Sequence, residues 1–152
     1  MGLILDDAGR VLLVDPVYKD GFILPGGSAL ANELPHVAVT REVHEEVGLE
    51  LRPLRLLVVD CFPENRERDP REGISFVFFM GVVGPEAPIL TDPEELRGVH
   101  WVAREDLSHR THPYQCRRIR TALRVLEEGE GAQYLVQGEV VHVTGSATLT
   151  LT

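Results

Sequence analysis

Residues Gly27 to Leu49, GSALANELPHVAVTREVHEEVGL, constrain the fold more than any other stretch of this chain. Glu42, Glu45 and Glu46 recur at i, i+3 and i+4, so on an α-helix their carboxylates fall on one face. Val39, Val43 and Val47 recur at i, i+4 and i+8 and form an apolar stripe pointing elsewhere. Asn32 or Glu33 can cap this helix, Pro35 suits an early helical position, and Gly48 is placed to stop it in a left-handed conformation. Such a helix must bury its valines and turn its acids towards a cleft. Like charges crowded this closely repel one another unless a cation sits among them. An all-oxygen ligand set favours a hard ion, Mg²⁺ or Mn²⁺, held by a few carboxylates and by the phosphate oxygens of a substrate.

The flanking sequence supplies a sheet. Gly2 to Leu5 and Val11 to Val14 are apolar runs around the turn Asp6-Asp7-Ala8-Gly9 and read as a hairpin. Phe22 to Leu24 is a brief strand running into Pro25-Gly26-Gly27, where glycine lets the backbone approach a ligand closely. Leu54 to Cys61 and Ile74 to Val83 read as longer buried strands, joined by a charged surface loop, Pro63 to Gly73. Within that loop Arg66, Arg68 and Arg71 are candidates for reaching a phosphate or base. Gly98 to Ala103 is a further strand, with Trp101 assigned to the core. His112 to Glu128 is a closing helix with Cys116, Ile119, Leu123 and Leu126 on its apolar face. Arg117, Arg118 and Arg120 fall off that stripe and are expected on a solvated face. Tyr134 to Val143 suggests a terminal hairpin around Gln137-Gly138, and Gly145 to Thr152 a frayed tail.

A chain of 152 residues with 43% hydrophobic content suits one domain, residues 1–152, with a core that needs no crosslink. A net charge of −9 argues against a protein that grips a nucleic-acid polymer through its phosphates. Cys61 and Cys116 lack CxxC spacing and read as reduced core thiols. His100, His109, His112 and His142 show no zinc-like spacing with them, and His44, at a variable position of the helix, is expected to face solvent. No stretch reaches bilayer-spanning length, and the expected location is cytoplasmic.

Written with gaps, the opening segment is G, five residues, E, seven residues, REVHEEVGL. It resembles the signature of the Nudix hydrolase family, and every fixed position of that signature is occupied. With each of the seven fixed residues at roughly 6% usage, a chance match is on the order of 10⁻⁹ per window. The resemblance implies an α/β fold, an α/β/α sandwich in which a mixed sheet lies between the signature helix and the His112 to Glu128 helix. It also implies a metal-dependent pyrophosphohydrolase that cleaves a phosphoanhydride bond in a nucleoside diphosphate linked to another moiety. The implied metal ligands are the Gly27 carbonyl, Glu42, Glu45 and Glu46. Arg41 lies about 100° from Glu42 around the helix and need not pair with it. The family pattern has it pair with Glu33 or steady the preceding loop. The general base is open between Glu45, Glu46 and an acid ahead of the Trp101 strand, where Glu94 and Glu95 stand. The alternative is a non-catalytic nucleotide-sensing module, which is expected to lose such glutamates. An isopentenyl diphosphate isomerase is weaker still, for want of a matching cysteine motif. A homodimer is plausible by family analogy alone. Phe22, ahead of Leu-Pro-Gly-Gly, either packs in the core, the favoured reading, or lies beside the site.

Overall fold

Neighbouring residues in the first two apolar runs face opposite ways, and both faces are buried. Leu3, Val11 and Leu13 enter one core, while Ile4, Leu12 and Val14 enter the other. Strands that are apolar on both faces belong in the middle of a sheet covered by helices on either side. The computed structural model describes residues 1–63 and 72–143. The Pro63 to Gly73 loop arginines and the Gly145 to Thr152 tail therefore lie outside the described residues.

The strands are β1 (Gly2–Asp6), β2 (Val11–Pro16), β3 (Arg55–Phe62), β4 (Gly73–Val83), β5 (Leu96–Val102), β6 (Gln133–Val136) and β7 (Glu139–Val140). They form one sheet in the order β5-β2-β1-β4-β3-β6-β7, with β1/β4 and β3/β6 parallel and the other pairs antiparallel. Helix α1 (Pro35–Val47) covers one face, seating Val39, Val43 and Val47 against Ile4, Leu12, Val14 and Met80. After the one-turn helix α2 (Leu107–Arg110), helix α3 (Pro113–Glu128) covers the other, seating Ile119, Ala122, Leu123 and Val125 against Leu3, Leu13, Val58 and Val77. This is the expected α/β/α sandwich. Burying each of these aliphatic side chains contributes about 1.5–3 kcal/mol, so each helix is held chiefly by its stripe.

Helix α1 begins at Pro35 and ends at Gly48, whose φ of 72° lets its N–H reach the His44 carbonyl. The N-cap is Leu34, without a side-chain hydrogen bond, in place of Asn32 or Glu33. Glu33 is diverted because its carboxylate accepts from Leu30 N–H and from Arg41. The Phe22 to Leu24 segment makes a single bridge, Val14 to Ile23, and β5 starts two residues earlier than expected. Gln137 and Gly138, both at positive φ, turn the terminal hairpin. Trp101 is half-buried against the α1-side core, and Phe22 packs against the other core while stacking on His100. Both cysteines are free, Cys116 buried and Cys61 partly so. Among the described residues no helix is long and apolar enough to cross a membrane.

One expectation is corrected. Arg118 does not lie on a solvated face; its side chain is 1% exposed and pairs with the fully buried Asp60 of β3, Nε to Oδ2 at 2.7 Å. The other Asp60 oxygen accepts from Gly138 N–H, so one carboxylate joins β3, α3 and the terminal hairpin. Phe62 and Tyr114 sit against the guanidinium at 4.5 and 5.6 Å, taking up its flat faces. Arg117 is half-buried and Arg120 exposed.

Candidate active site

The glycine loop and α1 meet at two carboxylates. Gly26, at φ 133°, donates its N–H to Glu46 Oε2 at 2.6 Å. A Cβ on Gly26 would come within 2.8 Å of Met1 Cα, so this position combines a left-handed backbone with no room for a side chain. A Cβ on Gly27 would lie 2.6 Å from the Glu42 carboxyl carbon, so the backbone there runs directly against the acid. Gly2 N–H to Pro25 O ties the loop to β1.

Arg41 organises the acids from the helix side. Its Nε and Nη2 grip Glu33 at 2.9 and 2.8 Å, its Nη1 reaches Glu42 and Glu45 at 2.8 Å each, and Nη2 also donates to the Ser28 carbonyl. The pairing with Glu33 follows the family pattern. The pairing with Glu42, which helix geometry did not require, arises because the long arginine side chain bends back across the loop. The Arg41 hydrogen bonds and that from Leu30 N–H hold the Glu33 carboxyl down to about 2. Bonded to Glu33 and Glu42 above all, Arg41 has its own pKa raised.

Across from α1 stands the turn Asp92–Glu95, in which Asp92 accepts from Glu94 N–H through its side chain and from Glu95 and Leu96 N–H through its carbonyl. Val17 N–H donates to Glu95 O, joining this turn to the loop after β2. Between the walls lies a cleft of about 270 Å³. Gly26, Gly27, Glu42 and Glu46 line one side, and Glu94, Glu95, Leu96, Val17 and Tyr18 the other. Burial pushes Glu46 up to about 7, with the charges of Glu42 and Glu95 adding to the rise and the Gly26 N–H opposing it. Burial, then the same acids, also raise the Tyr18 phenol. A larger depression of about 330 Å³ on the far side of α1, beside Thr40, His44 and Arg52, offers only Glu50 as an acid. Convergence of acids, not size, singles out the smaller cleft.

The structure thus brings Gly27, Glu42, Glu46 and Glu95 to one cleft. Glu45 turns to Arg41 and leaves half of its side chain, 53%, exposed. Arg41 and Glu33 stand behind the acids. Sequence reasoning missed Tyr18 and Val17; the available signal was a lone aromatic in the polar stretch Asp15 to Gly21.

Among the described residues no three acids, histidines or cysteines stand as a ready-made metal cage. Magnesium needs less, since it commonly takes one or two carboxylates and fills its octahedron with water and substrate phosphate. Glu42 and Glu46, one helical turn apart with the Gly27 backbone beside them, fit that requirement.

The NUDIX domain family matches residues 1–143. An ADP-ribose pyrophosphatase from Methanocaldococcus jannaschii is 36% identical over 96 residues, covering 60% of this chain and 55% of that protein. An RNA pyrophosphohydrolase from Stutzerimonas stutzeri is 40% identical over 58 residues, 38% of this chain and 36% of its own. The matched region therefore spans only about a third to a half of these relatives' lengths. Among solved structures, a MutT protein from Methanosarcina mazei Go1 superposes with a TM-score of 0.67 at 25% identity, covering 84% of this chain and 91% of that one.

Proposed function

Because the chain belongs to the NUDIX domain family, we propose that it is a metal-dependent pyrophosphohydrolase cleaving a phosphoanhydride bond in a nucleoside diphosphate linked to another group. The observation that carries this reading is the pairing of Glu42 and Glu46 against the Gly26-Gly27 backbone, with Glu95 facing them across the cleft. The names of the pyrophosphatase relatives support the same chemistry.

A divalent ion, Mg²⁺ or Mn²⁺, would neutralise charge on the phosphate oxygens and lower the pKa of a bound water. Glu42, Glu46 and the Gly27 carbonyl are the groups that would hold such an ion, with Glu45, now bonded to Arg41, as a further candidate ligand. Glu95, on the opposite wall, is the base that takes the proton of the attacking water. Arg41 and Glu33 are positioning residues: their fork fixes where the helix acids point. The substrate is a small molecule, since the cleft holds only about 270 Å³ and the chain carries a net charge of −9.

The test is release of nucleoside monophosphate from a panel of nucleoside diphosphate derivatives with Mg²⁺ or Mn²⁺, compared with Glu46→Gln. Wild-type turnover abolished by the substitution is the expected result. Binding of the panel without turnover by the wild type would favour the nucleotide-sensing alternative.

A further inference from the structure

We propose that Tyr18 is the platform on which the nucleobase of the substrate stacks, a substrate-binding role that rests on the hydrolase reading above. Tyr18 is 68% exposed, so its ring forgoes most of the burial that retains an aromatic in a core. It nevertheless lines the cleft beside the glycine loop and the acids, and among the cleft-lining residues it is the one aromatic.

Its backbone is fixed although its ring is free. Between β2 and β5 the register slips: Asp15 faces Gly98 and Pro16 faces Leu96, leaving Arg97 as a bulged residue. The Arg97 side chain then runs under the loop. It grips Asp15 at 2.8 and 3.2 Å and donates to the carbonyls of Val17 at 3.2 Å and Lys19 at 3.0 Å. From the other side Val17 N–H bonds Glu95 O. The two residues flanking Tyr18 are therefore pinned, and one of these pins is the residue assigned as base. Such a mount sets the distance between the aromatic ring and the reacting phosphates.

Chemistry selects the base as the group it receives. Apart from Val17, Leu96 and the glycine backbone, the walls otherwise present carboxylates, which repel phosphate unless a cation intervenes and offer no π-surface to a planar ring. A tyrosine face accepts any base, because stacking needs only a π-surface. The ammonium of Lys19 lies 5.6 Å from the ring centroid on one face, so an arriving base takes the opposite face or displaces that ammonium.

The experiment is calorimetric binding, in Mg²⁺, of the α,β-methylene analogues of ADP, GDP, CDP and UDP, with methylenediphosphonate as a base-free probe. Tyr18→Ala is expected to lose about tenfold in affinity for at least one nucleotide analogue and none for methylenediphosphonate, while Tyr18→Phe restores nucleotide binding to within about twofold. Melting temperatures of both variants should match the wild type. Equal losses for both kinds of probe, or no loss for either, would overturn the platform. A wild type that binds methylenediphosphonate but no nucleotide would overturn it too, yet leave the metal-phosphate reading intact. A wild type that binds neither would remove that reading itself.

Discussion

Two of the arginine–carboxylate clusters among the described residues, those of Arg41 and Arg118 on opposite sides of the sheet, differ in access to water. Around Arg41 the side chains stay partly open, 25% exposed for the arginine and 53% for Glu45, and one cation is shared among three acids. Around Arg118 the seal is complete, with 1% exposure for the arginine and none for Asp60. The sealed pair joins β3, α3 and, through Gly138 N–H, the terminal hairpin. The open cluster gathers three acids on one arginine, which in the proposed mechanism would let it yield a carboxylate to a divalent ion. Water access separates a fastener from a working site built from the same residue types.

Substitutions can break or sharpen this contrast. Arg118→Ala strands Asp60 in the core and should cost about 3–5 kcal/mol of stability, measured by denaturant unfolding. The double variant Arg118→Met with Asp60→Asn should recover much of that, because no charge is left buried; an additive loss would show that the pair is not the fastener. Glu46→Gln should cost about a hundredfold or more in turnover with no loss of melting temperature, since the amide keeps the shape and removes a buried charge. A matching fall in melting temperature and turnover would make Glu46 a structural residue. Arg41→Lys should lower turnover about tenfold, because an ammonium cannot make the two-pronged contact with Glu33 while also reaching Glu42 and Glu45. Its readout is kcat against KM, with the larger change expected in kcat.

The smallest effect concerns pH. The Glu33 carboxyl is held near 2 in the folded protein against an ordinary 4.5. A depressed folded value favours the native state above the ordinary value and loses that contribution as pH falls towards the folded one. The gap in melting temperature between wild type and Glu33→Gln should therefore be constant above about pH 5 and close between 4.5 and 2. A gap that persists at pH 2 would assign the difference to packing.

Periodicity made α1, its valine stripe and its glycine stop legible in the sequence, because these depend on contacts three and four residues apart. The glutamate spacing placed Glu42 and Glu46 on one face by the same logic. The sealed pair escaped, because the burial of Arg118 is set by Asp60, fifty-eight residues away in β3. A trace of it was visible, since Asp60 is the lone acid in the apolar run Leu56 to Phe62. Arg97 beneath the Tyr18 loop left no such trace. Its direction comes from a one-residue slip between β2 and β5, a property of strand pairing rather than of local composition.

The contact between Gly27 and Glu42 offers a way to adjust the centre by a single carbon atom. Gly27 is not at positive φ, so alanine fits its backbone, and what its methyl meets is the free end of a flexible acid. Gly27→Ala would act as a wedge, nudging the Glu42 carboxylate and its bond to Arg41 aside while every charged group is kept. The result would be an intact but mistuned protein, suited to catching an uncleaved substrate in a crystal.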